Sequence, residues 1–548
     1  MFLICLAASA ALASGGGDSS IFYFLEGYRT TQEGRYDEAL RYYTSALSLD
    51  PGSAAIKSEL ALLYLKKGEF NKAEALLKES VESDPRNRRS LMLLAGLYAS
   101  KDRLGEARQL YEQCIGNDKE DTEAYLLLGS IDIAQKRYRE ALSLYETVLG
   151  YDEDNIMALY YAARLRGEMK AYDQARSYYG RLLALKPNFE LALLDMGTLS
   201  EIEGKLDEAI GYYTRAVQVN PGNKKAMARI AAIYVQEKDY DRAISEFEKL
   251  SDLDREDLSI RENIGLLDLE KGKYEDAVRE FSLILASRPN NYKVRFYLAA
   301  ALQEGGETKR AIEELWKIDP KAEEFKEAAR SLVSLYVKAG IIDEGAARTE
   351  KLIGSSGGSF ELYLLLGALL EEKGDYAKAI GTLEKARALE PGDVDLLYQL
   401  GMLHEKSGDN GAALTCMEEI LKVEPDNPGA LNFIGYTYAE KGINLDRAEE
   451  MIKKALEKRP EDGYIRDSLA WVYYSKGEYR KALEEILRAQ ELVADDPVIT
   501  EHLSDIYAKL GQYDKAIDSL RHSIDLEKKE DRKQLLEKKL KGLEQKGK

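Results

Sequence analysis

Residues 190–223 read ELALLDMGTLSEIEGKLDEAIGYYTRAVQVNPGN, and the pattern within this stretch decides the fold. Gly197 stands at the eighth place and Gly204 closes a first helix-period stretch. Ala209 opens a second, with Tyr213 four positions on, and Pro221 ends the run. Glycine accepts the left-handed backbone of a helix C-cap, and proline cannot continue a helix. The stretch therefore predicts two helices joined by a tight turn. Alanine recurs at Ala39, Ala73, Ala107, Ala141, Ala175, Ala209, Ala243, Ala277 and Ala311, 34 residues apart each time. The register runs on through Gly345, Ala379 and Ala413, absorbs one residue near Ile443-Asn444, and continues through Ala448, Ala482 and Ala516. Fifteen units cover residues 20–530, so the fold class is all-α: a repeat of helix pairs, A then B.

The small residue at the eighth place recurs as Gly27, Gly129, Gly265, Gly367, Gly401 and Gly435, and the turn glycine as Gly34, Gly68, Gly272, Gly340, Gly374, Gly408, Gly442, Gly477 and Gly511. Prolines fall at unit ends, such as Pro51, Pro85, Pro187, Pro391 and Pro425, or open a unit, as at Pro428 and Pro497. This restriction explains why only 11 prolines occur where about 27 would be usual at roughly 5%.

The Leu-Gly pairs Leu128-Gly129 and Leu400-Gly401, followed by Ala141 with Tyr145 and by Ala413 with Pro425, resemble the tetratricopeptide repeat (TPR) signature. The resemblance implies a superhelical solenoid with A helices on its concave side, and a protein-binding role. At the C-terminus, Leu535, Leu536, Leu540 and Leu543 are expected on one face of a capping helix. The stretch Ile353 to Ser359, Gly-Ser-rich where a turn with proline is usual, and Gly345 in place of alanine predict a joint. The expected division is a signal peptide and short linker at 1–19, solenoid segments at 20–359 (units 1–10) and 360–530 (units 11–15), and a capping helix with a basic tail at 531–548.

Composition excludes several classes. Three His and three Cys in 548 residues leave little for triads or metal clusters, and no P-loop, GxSxG or HExxH is present. No catalytic residue, metal or cofactor is expected, and the protein is read as no enzyme. A net charge of -19 opposes nucleic-acid binding. His404 reads as a core residue, His522 lies on a B helix, and Cys114 and Cys416 read as buried thiols.

Met1 to Ala13 is uncharged and apolar and ends in Ala11-Leu12-Ala13, a signal-peptidase pattern, with Ser14 next. The run is too short for a membrane span, and Ile4 before Cys5 disfavours lipidation. Export to the periplasm or outer membrane is the expectation.

Within an A helix, places 4, 7, 8 and 11 form the packing stripe, so places 2, 5, 9 and 12 lie on another face. In units 13 to 15 that face and its continuation carry Asn432, Tyr436, Tyr464, Asp467, Trp471, Tyr474, His502 and Asp505. Aromatics among hydrogen-bonding groups suit a protein or peptide partner, while packing of Trp471 on the following helix is the competing reading. Family members that clamp chaperone tails use Lys and Asn at set places. Lys225 and Arg229 match that clamp in part, but Tyr160, Arg164 and Asp195 depart from it, and the chaperone-tail reading is set aside. This stretch of units 13 to 15, about 70 residues from Ala430 on, is similar to exported bacterial members, including the outer-membrane adaptor of a periplasmic C-terminal-processing protease. An envelope adaptor is therefore expected, with a structural periplasmic part of an outer-membrane or exopolysaccharide export machine as the alternative.

Overall fold

The structure, a computed structural model, describes residues 19–546. The leader Met1 to Ala13 and its Ala11-Leu12-Ala13 site lie outside the described residues. Among those described there are 31 helices and no strand, numbered from α1 (Ser20–Gln32) to α31 (Glu530–Lys546). Odd numbers up to α29 are A helices and even numbers are B helices.

Local chemistry sets the helix ends. Asn155 accepts the N–H of Ala158 at 3.0 Å, Asp393 that of Leu396 at 2.7 Å and Asn427 that of Ala430 at 3.0 Å, each satisfying a donor at the start of an A helix. At the A-to-B turn the expected glycines adopt positive φ, for instance 74° at Gly204. Asp102, Lys136, Lys170 and Lys238 hold the same left-handed backbone at φ 59° without being glycine.

The eighth place is small because a ring fills the space beside it. A Cβ added to Gly197 would lie 2.5 Å from the ring of Tyr213, and one added to Gly129 would lie 2.5 Å from that of Tyr145. The repeat alanines, Ala209 and Ala277 among them, are fully buried, as are both tyrosines. Burying a large side chain of this kind contributes about 2 kcal/mol. Successive A helices also touch, α3 (Ala54–Lys66) with α5 (Arg88–Ser100) and α25 (Pro428–Lys441) with α27 (Gly463–Ser475). Successive B helices do not pack comparably, so the A helices form the inner layer of the repeats.

The chain divides into two compact units, up to Ile260 and from Arg261, within α15 (Leu258–Glu270). In the first unit, α1 carries Glu26 and Arg29 where α3 buries Leu60 and Leu63. Arg29 pairs with Glu26 at 2.7 Å and Glu33 at 2.8 Å, which gives this helix an ion-paired edge instead of an apolar one.

The second unit holds the irregular repeats. The B helix α18 (Thr308–Leu315) has 8 residues against 14 in α24 (Asn410–Val423). The chain turns through Asp319-Pro320 before α19 (Phe325–Ala339) begins. Gly345, on α20 (Ile342–Ser356), lies under Tyr336, where a Cβ would come within 2.7 Å of the ring. Tyr336 is held by the Trp316 indole N–H, which donates to its hydroxyl at 2.9 Å, and Arg348 lies over Trp316 at 4.9 Å. The Tyr336 ring thus fills the space that an alanine Cβ at position 345 would need. Within the Gly-Ser-rich stretch the helix persists to Ser356, Gly357 takes φ 82°, and α20 packs on α21 (Phe360–Glu372). A joint at 353–359 stands as a proposal.

At the C-terminus, Leu536 and Leu543 of α31 are buried and Leu540 half-buried against Ala516, Leu520 and Ile524 of α30 (Tyr513–Leu526). The expected four-leucine stripe needs correction, since Leu535 is 68% exposed. Positions 536, 540 and 543 recur at helical spacing, whereas adjacent residues diverge by about 100°. His404 is half-buried and not in the core, and His522 is exposed. Cys114 and Cys416 are free and buried, and burial pushes the Cys114 thiol up to about 11.

Candidate functional site

Three A helices of the second compact unit, α25, α27 and α29 (Pro497–Lys509), present the residues singled out by spacing. Their caps and the small residues at place 8 hold them close enough for side chains of successive A helices to meet. Trp471 stacks on Tyr474 at 4.5 Å between ring centroids, and on the His502 imidazole at 4.1 Å. Tyr436 lies 6.4 Å from His502, extending the row onto α25. The His502 ring shares a hydrogen bond with Asp467 Oδ1 at 2.8 Å, through Nδ1. Both residues are buried, at 7% and 6% exposure, so at these places the side chains face each other across neighbouring helices and not open solvent.

The rest of the set is placed differently. Asp505 accepts from Lys539 of α31 at 2.6 Å. Beside it, Glu501 accepts from Lys539 at 2.8 Å and from Arg532 at 3.1 Å. The capping helix thus neutralises the acidic rim of the aromatic row, which spacing within a 34-residue unit gives no means of seeing. Tyr464, at the start of α27, is the most exposed member at 56%. Asn432 has a buried amide oxygen without a hydrogen-bond partner among the described residues. Burial pushes the Tyr474 phenol up to about 12, with Asp505 and Tyr479 adding to the effect, and burial likewise raises Tyr436. Both phenols are therefore neutral donors at neutral pH.

Chemically, this row is a rigid amphipathic surface. The Trp471 ring is half-buried and packs on α29 through His502, so the packing role and the surface role coincide in one side chain. In the first unit, Tyr160 is buried, Asp195 accepts from the Tyr179 hydroxyl at 2.8 Å, and Arg229 pairs with Glu201. Arg229 and Asp195 are thus engaged within the fold.

A second feature of the same compact unit escaped the sequence reading. A cavity of about 600 Å³ opens across α19, α21 and α23 (Val394–Lys406). Its floor includes Phe360, Leu364 and Ala368, with Lys326 on one side and Asp395 on the other. Leu364 and Ala368 occupy places 5 and 9, the same outward places that carry Asn432 and Tyr436 further on. A search weighted toward aromatic content passes over them.

Among the described residues, no group of three or more His, Cys, Asp or Glu could hold a metal ion, and no helix is long and apolar enough to cross a membrane. The tetratricopeptide repeat pattern matches residues 31–97, 98–155, 132–194, 202–261, 268–336 and 369–434. Further patterns of that description match 330–394, 444–497 and 501–530. The chain belongs to the tetratricopeptide repeat family, whose members bind protein partners and are in general noncatalytic scaffolds. No curated protein sequence matches it. It is similar to the crystal structure of a tetratricopeptide repeat protein from Parabacteroides merdae, with 18% identity, covering 46% of this chain and 99% of that one, at a TM-score of 0.35. It is also similar to the C-terminal part of a TPR repeat-containing protein from Cytophaga hutchinsonii (18%, 44% and 99%, TM-score 0.40) and to Pseudomonas aeruginosa PilF (22%, 40% and 99%, TM-score 0.35).

Proposed function

We propose that this protein is a noncatalytic scaffold or adaptor of the bacterial cell envelope, exported to the periplasm or the outer membrane, that holds partner proteins or peptides on the inner face of its A helices. The observation that carries the binding role is the row of Tyr436, His502, Trp471 and Tyr474 on three consecutive A helices, stacked into one surface. Rigid aromatics bury area at low entropic cost, and binding energy concentrates on such anchors. The noncatalytic reading is supported by the tetratricopeptide repeats that fill the chain, since such proteins are in general noncatalytic scaffolds. Export is supported by the apolar run ending in Ala11-Leu12-Ala13.

Two measurements test this. Crosslinking in cells followed by purification from the envelope fraction should recover a defined partner, and a partner set of fixed stoichiometry would favour the export-machine alternative. Mass spectrometry of the mature protein should find Ser14 at its N-terminus, whereas an intact Met1 on a wholly cytoplasmic protein overturns export. At the aromatic row, Tyr464→Ala should leave melting unchanged. Trp471→Ala should weaken partner capture by about 2 kcal/mol per folded molecule. If Trp471→Ala lowers only the melting temperature, the ring serves packing and recognition lies elsewhere.

A further inference from the structure

The cavity over α19, α21 and α23 sits where the repeat is most irregular. Shortening α18 to 8 residues releases the chain into the turn at Asp319-Pro320, and Lys321 of that turn becomes part of the cavity wall. The result is a trough with three different surfaces. Its floor is α21, where Phe360, Leu364 and Ala368 recur every four residues and are all half-buried. Eight residues of helix span about 12 Å, so the apolar stripe is about two helical turns long. One flank carries three cations, Lys321, Lys326 and Arg330, with the exposed Glu323 among them and Glu361 beside Phe360 on the floor, so it is net basic and not uniformly so. Lys321 and Lys326 are exposed and their ammonium groups have no carboxylate within 4 Å among the described residues, although Asp319 accepts the backbone N–H of Lys321 at 2.9 Å, while Arg330 pairs with Glu327 at 2.8 Å. The opposite flank, at the start of α23, is acidic. Asp393 caps the helix through Leu396, and Asp395 is exposed without a cationic partner within 4 Å among the described residues.

Elsewhere, lysines near helix ends commonly reach a carboxylate of the neighbouring unit, as Lys67 does with Asp37 at 2.6 Å and Lys406 with Glu371 at 2.7 Å. In the trough the opposite charges face one apolar floor and do not meet. Lys326 also sits in the first turn of α19, where the helix dipole disfavours a cation. Charges held in this way are complementary to an occupant that brings both signs.

We propose that this trough docks an amphipathic helix of a partner protein, lying along α21 with its apolar stripe on Phe360, Leu364 and Ala368, an acidic flank against Lys321 and Lys326, and a basic flank against Asp395. This rests on the scaffold reading and names the partner chemistry for a surface distinct from the aromatic row. A helix laid in a groove exchanges its left and right flanks when its direction is reversed. The two flanks of the trough therefore set the direction of the bound helix, and the requirement on the partner is that its two flanks differ in sign.

The test uses the full-length chain and three fluorescent peptides of about 14 residues, stapled as helices with the same leucine stripe. One carries Glu on one flank and Lys on the other, one carries Glu on both, and one carries Lys on both. Anisotropy titrations should rank the mixed peptide at least about ten-fold tighter than either uniform one. Lys326→Glu should turn the preference toward the all-Lys peptide, and Asp395→Lys toward the all-Glu peptide. A misfolded variant would lose binding without reversing a preference, so these two exposed substitutions separate recognition from damage. Leu364→Glu should abolish binding of all three, with helicity and melting checked by circular dichroism. Equal affinities, no binding, or a ranking unchanged in both charge variants overturns the proposal. If wild type and Leu364→Glu recover the same envelope partners equally, the trough assignment falls while the scaffold reading stands. If the peptides rank as stated and wild type crosslinks no partner, the scaffold reading falls while the groove chemistry stands.

Discussion

At the residue scale, the left-handed turn positions give the most direct check on the backbone. Lys170 and Lys238 adopt φ 59° where eleven other units place a glycine of positive φ. A left-handed residue with a Cβ costs about 1 to 2 kcal/mol, and glycine returns about 0.5 to 1 of that through the unfolded chain. Lys170→Gly and Lys238→Gly should each stabilise by about 0.5 to 1 kcal/mol, read by urea unfolding, and a loss of stability in both would mean the turn geometry is wrong. Glu74 gives a pH signature. Hydrogen bonds from Lys101 and Lys78 hold its carboxyl down at about 2, with Arg103 also bonded. Its stabilising contribution is fully present above the unfolded value of about 4.5 and disappears as pH falls through about 2. The melting-temperature gap between wild type and Glu74→Gln should accordingly close over that window, and a gap constant from pH 7 to pH 2 would show the network to be inert.

At the element scale, α31 has two jobs that its sequence does not separate. Leu536 and Leu543 seal α30, while Arg532 and Lys539 engage Glu501 and Asp505 beside the aromatic row. Leu536→Glu attacks the seal, placing an unpaired charge against Leu520 and Ile524, and should destabilise the last repeat by about 3 kcal/mol, seen as early loss of amide protection in α29 and α30. Lys539→Ala leaves the seal intact and should do much less, because its partners are only partly buried. Equal damage from both would mean the ion pairs, and not the leucines, hold the cap. The leucine face was legible from spacing at 536, 540 and 543, while the docking of the cations on α29 required knowing which way the helix turns back.

At the scale of the molecule, stability in a repeat protein is a sum over neighbours, so damage stays local. Ala209 and Ala277 are both fully buried, in the first and second compact units respectively. Ala209→Leu and Ala277→Leu should each cost about 1 to 3 kcal/mol through overpacking where helix A meets helix B. Hydrogen exchange should place the loss in the compact unit that carries each substitution. Uniform loss over the whole chain would show a single cooperative body.

The sequence by itself determined the period, the helix pairs, the turn glycines and the small residue at the eighth place. Each is a local or nearest-neighbour requirement, repeated until chance is excluded: a cap needs its side chain, a left-handed turn favours glycine, and Tyr213 leaves no room for a Cβ at Gly197. Only the tertiary structure decided which outward places are open. It turned Asp467 and His502 toward each other, stacked Trp471 on both Tyr474 and His502, and set Lys539 against Asp505. It also opened a trough beside the shortened α18, between charges that the linear pattern shows merely as exposed Lys and Asp. Helical period fixes the direction in which a side chain leaves its own helix, but what it meets there is set by the approach of the next A helix and by departures from the repeat.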